Sequence, residues 1–504
     1  MTTVKINTLE FDAQALREKI LDLAMRGKLV PQDPNDEPAS VLLEKIKAEK
    51  EQLIKEKKIK KSKPLAPITD DEKPFDIPDS WEWVRLGDVI NFSLGKTPRR
   101  GNGLYWDQGT IPWVSISDIG SDKYLESTKE KITETALKDS FRNQVEPKGT
   151  LLMSFKLSIG KVAILGVPAV HNEAIISIYP IINRNNITRD YLYYLLPLIS
   201  NSGYLTPAIK GKTLNKTLIN QLKVPFPPLS EQSRIAAKIA QLFALLRKVE
   251  SSTQQYAKLQ TLLKSKVLDL AMRGKLVKQD PHDEPASLLL EKIKAEKEQL
   301  VKEGKIKKSK PLPPITDDEK IFNLPQGWTW VKLNDVLALE NGAIRRGPFG
   351  SSLKKSFFVP KSEDTYKVYE QGNAINHTIK YGSYYISSQK YEELQSFSIR
   401  PGDIIISGAG TIGKAYILPS NSPKGVINQA LIRVRLNEQL ISKEYFLFAF
   451  KQKVGLINKQ AKGTAIKNMF SVTHMKNDLV WALPPLAEQK RITKKIQNIL
   501  SFVK

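Results

Sequence analysis

The sequence predicts an α+β chain built twice: two pseudo-two-fold-related α/β domains separated by long antiparallel coiled-coil-like helices. Three observations predict it. "DLAMRGKLV" stands at 22–30 and again at 269–277, and between Asp22–Trp83 and Asp269–Trp330, 50 of 62 positions are identical, the mark of a duplicated module. Beyond the repeated tryptophans the copies diverge but keep landmarks in order. "GTLLMSFKLSIGKVAIL" (149–165) matches "GDIIISGAGTIGKAYIL" (402–418), "HNEAI" (171–175) matches "INQAL" (427–431), and "PPLSEQSRI" (227–235) matches "PPLAEQKRI" (484–492). Between the divergent parts, apolar residues recur every three or four positions from Ile235 to Leu270, the period of a long helix seam.

In chain order, residues 1–80 read as a helical region and linker. "PASVLLEKIKAEKEQLIKEKKIKKSK" (38–63) carries a short apolar stripe that gives way to a lysine run, a pattern commoner for a solvated helix face than for one that meets phosphates or a partner subunit. "PLAPITDDEKPF" follows as a proline-rich extended linker into Trp81. Residues 81–228 make the first divergent domain, opening on "WEWVRL". Residues 229–327 repeat the helical region and linker, with Ser230 the expected N-cap and Gly274 the expected C-cap of a helix of about 40 residues, roughly 60 Å long. Its seam is Ile235, Ile239, Leu242, Leu246, Val249, Tyr256, Leu259, Leu263, Val267 and Leu270. Ser251 and Ser252 interrupt the pattern, so one kinked helix and two helices are both open. Residues 328–485 make the second divergent domain, opening on "WTWVKL". Residues 486–504 form a C-terminal helix whose Ile492, Ile496, Ile499, Leu500 and Val503 repeat the first half of the seam, as Leu16, Ile20 and Leu23 repeat the second half. A helix whole in the middle and cut in two at the ends implies that the terminal helices pack antiparallel on the central one.

Composition narrows the partners. Lys plus Arg is 78 against 53 for Asp plus Glu, a net charge of +25, which favours a polyanion such as nucleic acid or an anionic membrane surface. No apolar run approaches the roughly 20 residues of a membrane span, and "MTTVKINTLEFDAQ" has no signal-peptide core, so the expectation is a cytoplasmic protein without membrane contact. Zero cysteines exclude disulfides, thiolate metal sites and cysteine nucleophiles. His171, His282, His377 and His474 form no His-x-x-x-His pair, and no metal site is expected.

One stretch imitates a nucleotide site. "SGAGTIGKAY" (407–416) contains G-x-G-x-x-G at Gly408, Gly410 and Gly413 and nearly spells a phosphate loop. Such a loop must be left by a helix whose N–H groups face the phosphates. Here the exit "KAYILPSNSP" reads as a strand, and Ala415 stands where Ser or Thr should hold magnesium. In the first copy Phe155 and Leu157 replace Gly408 and Gly410. The stretch is therefore expected to be a hairpin turn, and the chain to bind no cofactor.

Two variable domains, each opening with W-x-W-V-x-L and closing with P-P-L-[SA]-E-Q-x-x-I, separated by near-identical helical blocks, resemble the specificity (S) subunit of type I restriction-modification enzymes over essentially the whole chain. The resemblance implies two target recognition domains, each reading half of a split double-stranded DNA site, and helical regions that set the gap and bind two methyltransferase (M) subunits. The restriction and translocase (R) subunits would join that core. The chain itself would be no enzyme, and S-adenosylmethionine, ATP and Mg2+ would belong to the partner subunits. The sequence agrees in lacking amino-methyltransferase Asn-Pro-Pro-[Phe/Tyr] and Asp-Pro-Pro-Tyr motifs, a helicase phosphate loop and a clear nuclease cluster. The same architecture in a non-restricting phage-defence or modification-only complex is the alternative.

Reading DNA needs cations for phosphates and directed donors for base edges. In the first variable domain the best stretch is "SLGKTPRRGNGLYWDQG" (93–109), with Lys96, Thr97, Arg99, Arg100, Asn102, Tyr105 and Trp106. Arg99 and Arg100 have the reach for a guanine or phosphate, and the aromatics offer rigid contact area. The counterpart "ENGAIRRGPFGSSLKKSFF" (340–358) offers Arg345, Arg346, Ser351, Ser352, Lys354 and Lys355. Weaker candidates are Lys210, Lys212, Thr213, Asn215 and Lys216, matched by Lys462, Thr464, Lys467 and Asn468. Lys156 and Ser158, like Thr411 and Lys414, sit at the hairpin. Two inverted readers would lie about one turn, near 34 Å, apart on the duplex if dimer geometry carries over.

Overall fold

Each variable segment is closed by a two-stranded antiparallel ribbon made from its own ends. Glu82–Arg85 pairs with Lys223–Phe226, and Thr329–Lys332 pairs with Val480–Leu483. The structure, a computed structural model, describes residues 11–61, 63–201, 214–308, 311–460 and 471–503. It divides into two units, Met1–Thr253 and Gln254–Lys504.

In the first unit a five-stranded sheet runs in spatial order Ile90–Leu94, Ile175–Pro180, Leu151–Ser154, Val162–Leu165, Tyr124–Leu125. A three-stranded sheet places Ile111–Val114 between Glu130–Ile132 and Val170–His171, the last pairing parallel. The second unit repeats this plan with different residues. Ile344–Arg346, Leu431–Val434, Ile404–Ser407 and Ala415–Ile417 follow the order of the first four strands, and Thr365–Tyr369 pairs parallel with Gly425–Ile427. Strands such as Ile404–Ser407 and Leu151–Ser154 are buried along their whole length, which explains why they read as continuous apolar runs instead of alternating ones. The glycine-rich stretch is the turn between Ile404–Ser407 and Ala415–Ile417, which pair antiparallel: a hairpin, as its strand-like exit implied.

The helical regions brace these domains. The N-terminal helix Ala13–Met25 is capped by Asp12, whose carboxylate accepts from the Ala15 amide at 2.9 Å. The helices Ala39–Lys55 and Ala286–Lys302 bury their short apolar stripes, Leu42 and Ile46 in the first and Leu290 and Ile293 in the second. The linker after the first is extended except for one turn at Asp70–Glu72 and is strapped down: Arg85 donates to the Ala66 carbonyl at 2.6 Å and pairs with Glu72 at 2.9 Å.

The central helix is one unbroken element, Leu229–Met272, so Ser251 and Ser252 do not end it. Ser230 is not its cap: the hydroxyl donates to Asp36 at 2.5 Å instead. Gly274 does terminate it in the left-handed conformation, φ +66°, and a Cβ there would lie 2.3 Å from Pro325 Cγ. Within the first unit Arg17 pairs with Glu250 at 2.5 Å and Gln32 with Glu231 at 2.6 Å, so the chain descending from the N-terminal helix runs antiparallel to the central one. Within the second, Val267, Leu268, Ala271 and Met272 share one core with Ile492 and Ile496 of the C-terminal helix Leu486–Ser501. The seam is not uniform. Ile235, Ile239, Leu246 and Val267 are buried, while Val249, Tyr256, Leu259 and Leu263 are exposed.

One motif joins helix to domain in each unit. The carboxylate of Glu231, fully buried, accepts from the Trp81 indole at 2.8 Å and from the Gln32 amide at 2.6 Å. Glu488 accepts from Trp328 at 2.9 Å and Gln279 at 3.0 Å. Burial pushes both carboxyls above the ordinary value, against the pull of these donors. Removing the acceptor strands the buried indole, at a cost of about 1–3 kcal/mol, while the exposed Gln32 and Gln279 amides turn to water. Glu231→Ala should therefore destabilise the first unit, and Glu488→Ala the second, by at least that much, read as an early transition in denaturant unfolding of the full chain. Unchanged unfolding profiles in both would show that these carboxylates do not close the domains.

Candidate nucleic-acid interface

Among the described residues, three candidate stretches of the first unit tie to one short segment, His171–Ile175, directly or through one another. The Lys96 amide donates to the His171 carbonyl at 2.9 Å and the Gly95 amide to the Ile175 carbonyl at 3.4 Å. This approach demands glycine: a Cβ at Gly95 would lie 2.1 Å from the His171 oxygen. From the other side, the Phe155 amide at the foot of the hairpin donates to the Ala174 carbonyl at 2.9 Å, and the Leu214 amide donates to the Phe155 carbonyl at 2.8 Å. The stretches 93–109, 155–161 and 214–217, far apart in sequence, are thus tied into one surface.

The segment is held from below by His171. Its ring is buried, with Nε2 2.8 Å from the Ser177 hydroxyl and Nδ1 3.2 Å from the Asn172 carbonyl. A carbonyl only accepts, so Nδ1 carries the proton and Nε2 accepts from Ser177. Burial holds the ring below the ordinary histidine pKa. Asn172 fixes the next turn, its side chain accepting from the Ala174 amide at 3.1 Å. In the second unit Asn428 does the same with Ala430 at 3.0 Å.

On this base the loop sorts its own cations. Arg100 is exposed but engaged: it pairs with Glu130 and lies over the rings of Trp106 and Trp113 at 4.1 and 4.7 Å. Trp106 and Trp113 are therefore a floor for Arg100. The Trp106 indole donates to the Arg99 carbonyl at 3.2 Å, and the Tyr105 hydroxyl to Asp139 at 3.1 Å. Asn102 caps a short turn by accepting from the Leu104 amide at 3.2 Å. Thr97 donates to Glu173, and this hydroxyl, with Lys156 and Arg100 nearby, holds the Glu173 carboxyl below the usual range. Lys96 and Arg99 are exposed and join no ion pair among the described residues. Ser158 and Lys216 are exposed, Lys156 is half-buried, and Asn215 caps the helix Lys216–Gln221. Lys210, Lys212 and Thr213 lie outside the described residues. Sequence reasoning missed Glu173 and Glu130, which hold the loop; their partners are 76 and 30 positions away, and no local pattern signals such a pairing.

The second unit uses the same anchor with another register. Gly347 plays the part of Gly95: its amide donates to the Leu431 carbonyl at 3.0 Å, and a Cβ would lie 1.9 Å from the Asn428 oxygen. Arg345 and Arg346 precede this glycine and belong to the strand Ile344–Arg346, where the loop cations of the first unit follow theirs. Arg346 donates to the carbonyls of Gln429 at 3.1 Å and Gly408 at 3.3 Å, and Arg345 lies 5.5 Å from the Phe397 ring. The exposed group is Phe349, Ser351, Ser352, Lys354 and Lys355, with Thr411 and Lys414 at the hairpin. Lys462, Thr464, Lys467 and Asn468 lie outside the described residues.

Comparison with known proteins adds the following. A family model described as type I restriction modification DNA specificity domain matches residues 78–260 and again 325–503. The EcoEI specificity subunit of Escherichia coli is 31% identical, covering 97% of this chain and 89% of that protein, and the EcoAI specificity subunit, also of Escherichia coli, matches with the same identity and coverage. A chain solved in a structural study of type I R-M system assembly and conformational transition shares the fold with a TM-score of 0.51 at 19% identity, over 85% of this chain and 92% of that one. Among the described residues, no helix is long and apolar enough to cross a membrane.

The buried histidine gives the interface a pH dependence of known sign. Because burial depresses its folded pKa, its stabilising contribution is complete above the ordinary value, about 6.5, and is lost as pH falls from there toward the depressed value. Thermal melting between pH 8 and 5 should show the native chain losing more stability on acidification than His171→Gln, which keeps hydrogen bonding without a charge. Parallel pH profiles would count against a neutral buried ring.

Proposed function

The chain belongs to the family of DNA specificity subunits of type I restriction-modification systems and carries two target recognition domains; from that premise we propose that it is the non-catalytic reader of a bipartite, gapped DNA site. Each domain reads one half. The helical regions scaffold two methyltransferase subunits and carry the restriction and translocase subunits, where S-adenosylmethionine, ATP and Mg2+ act. The observation that supports this best is the repeated anchor: in both units a glycine loop and a hairpin tie to one segment, 171–175 or 428–431, and present exposed cations beside it. The anchors match while the exposed residues differ, as two readers of different half-sites require.

Mechanistically, Lys96 and Arg99, or Lys354 and Lys355, neutralise phosphates and so position the domain, while hydroxyls and amides of the same loops meet base edges. Arg100, already paired and stacked, acts on loop geometry. Lys96→Ala and Arg99→Ala should each reduce the slope of log affinity against log salt by about 1, whereas Arg100→Ala should weaken binding by loosening the loop.

The deciding experiment is base-resolution methylation mapping in a methylation-free host that expresses the chain with its neighbouring methyltransferase subunit. A single asymmetric gapped motif is expected. Replacing residues 84–226 by another reader should change one half only, and inserting one turn into the central helix should change the gap and leave both halves intact. An ungapped motif would overturn the two-reader model, and methylation without restriction in the whole system would assign a modification-only complex.

A further inference from the structure

The two hairpins beside the anchors are built alike around a serine. The Ser154 hydroxyl donates to the Ser158 carbonyl and accepts from the Lys161 amide at 3.0 Å, and the Gly160 amide donates to the Ser154 carbonyl at 2.9 Å. In the second unit the Ser407 hydroxyl donates to the Thr411 carbonyl at 2.5 Å and accepts from the Lys414 amide at 2.9 Å, and the Gly413 amide donates to the Ser407 carbonyl at 2.8 Å. Both turns drive their middle residue into the left-handed region: φ is +58° at Gly410 and +62° at Leu157.

Glycine sits there freely; leucine meets a steric penalty. Leucine would be tolerated if its side chain gained packing elsewhere, but Leu157 is 79% exposed. The first unit thus keeps a branched apolar group where its twin shows that glycine makes the same turn, and exposes it to water. Folding accounts for neither choice. Strained residues of this kind cluster where a ligand is held, and the surroundings say which ligand. Leu157 lies between Lys156 and Ser158, on a hairpin bonded to the same segment that anchors Lys96 and Thr97.

The geometry points to Leu157 as a specificity-determining residue of the first recognition domain, whose methyl groups contact the C5-methyl of a thymine in the major groove. Among base edges exposed there, thymine alone offers an apolar group, and leucine has no donor for the others. Gly410 leaves the second domain without this contact. The assignment rests on the DNA-reading function proposed above.

The test uses the whole chain with its methyltransferase partner, once mapping has defined the half-sites, and duplexes in which each thymine of the first half is replaced in turn by deoxyuridine. One replacement should weaken binding of the native complex by roughly fourfold, the worth of one buried methyl group. Leu157→Ala should weaken binding to the thymine duplex and be indifferent to that replacement. Leu157→Gly should do the same while melting no lower than the native chain, separating recognition from folding. Site-specific native binding with no sensitive thymine, or with full affinity in Leu157→Ala, overturns the assignment and leaves the reader function standing. Equal weakening by Leu157→Ala on every duplex, with increased 2-aminopurine fluorescence at one step in the native complex, overturns it in favour of a wedge between bases. Loss of all sequence preference in the native complex overturns the reader function and this assignment together.

Discussion

Two buried carboxylates hold the architecture together. A variable domain leaves the helical scaffold at Trp81 and returns to it at Glu231, and the indole-to-carboxylate bond makes these two points one place. Trp328 and Glu488 repeat the closure. Taking a carboxylate out of water costs several kcal/mol, while a hydrogen bond to a charged group gives back about 1.5–3 kcal/mol. Two donors to each carboxylate bring the terms near balance, and burial holds the Glu231 carboxyl above the usual carboxylate range. The lock therefore contributes geometry more than stability: it fixes where a domain begins and ends, whatever lies between.

This division explains which residues the two units share inside otherwise different domains. Asn172 and Asn428 cap the turn after a parallel strand, Ser154 and Ser407 staple the hairpin, and the hydroxyls of Tyr191 and Tyr445 donate to the carbonyls of Pro225 and Ala482 in the closing ribbon. Each bonds to backbone. Backbone groups are the same whatever side chains their residues carry, so such contacts survive while the surface around them changes. The glycines at 95 and 347 follow the same rule, since both admit a loop to within contact of another strand's carbonyl.

That logic also divides what could be read from the sequence from what could not. The duplication, the long helix, its glycine stop and the strand-turn-strand character of residues 402–418 are written in local periodicity or self-comparison, and they emerged directly. Ser230 looked like a cap because caps are recognised locally, yet its hydroxyl turns to Asp36, 194 positions away. The sequence reads 340–358, with Arg345 and Arg346, as the counterpart of 93–109, with Arg99 and Arg100. The hydrogen-bonded register shows them on opposite sides of the anchoring glycine, in a strand in one unit and in a loop in the other. Residue type picks out candidate cations, and long-range pairing decides which of them are already engaged.

The loop of the first domain shows what such pairing achieves. Glu130 and Glu173 stand beside the cations that would meet phosphates, and negative charge there weakens attraction to any DNA backbone. In return they immobilise Arg100 and Thr97 before a ligand arrives, so less freedom is lost on binding. Backbone attraction is common to every sequence, whereas a pre-set loop rewards only a duplex whose base edges match it. On the proposed reading of this loop as a DNA reader, its acidic residues lower non-specific affinity while the pre-set geometry raises the ratio by which the correct half-site is preferred, the quantity a reader facing a whole genome depends on.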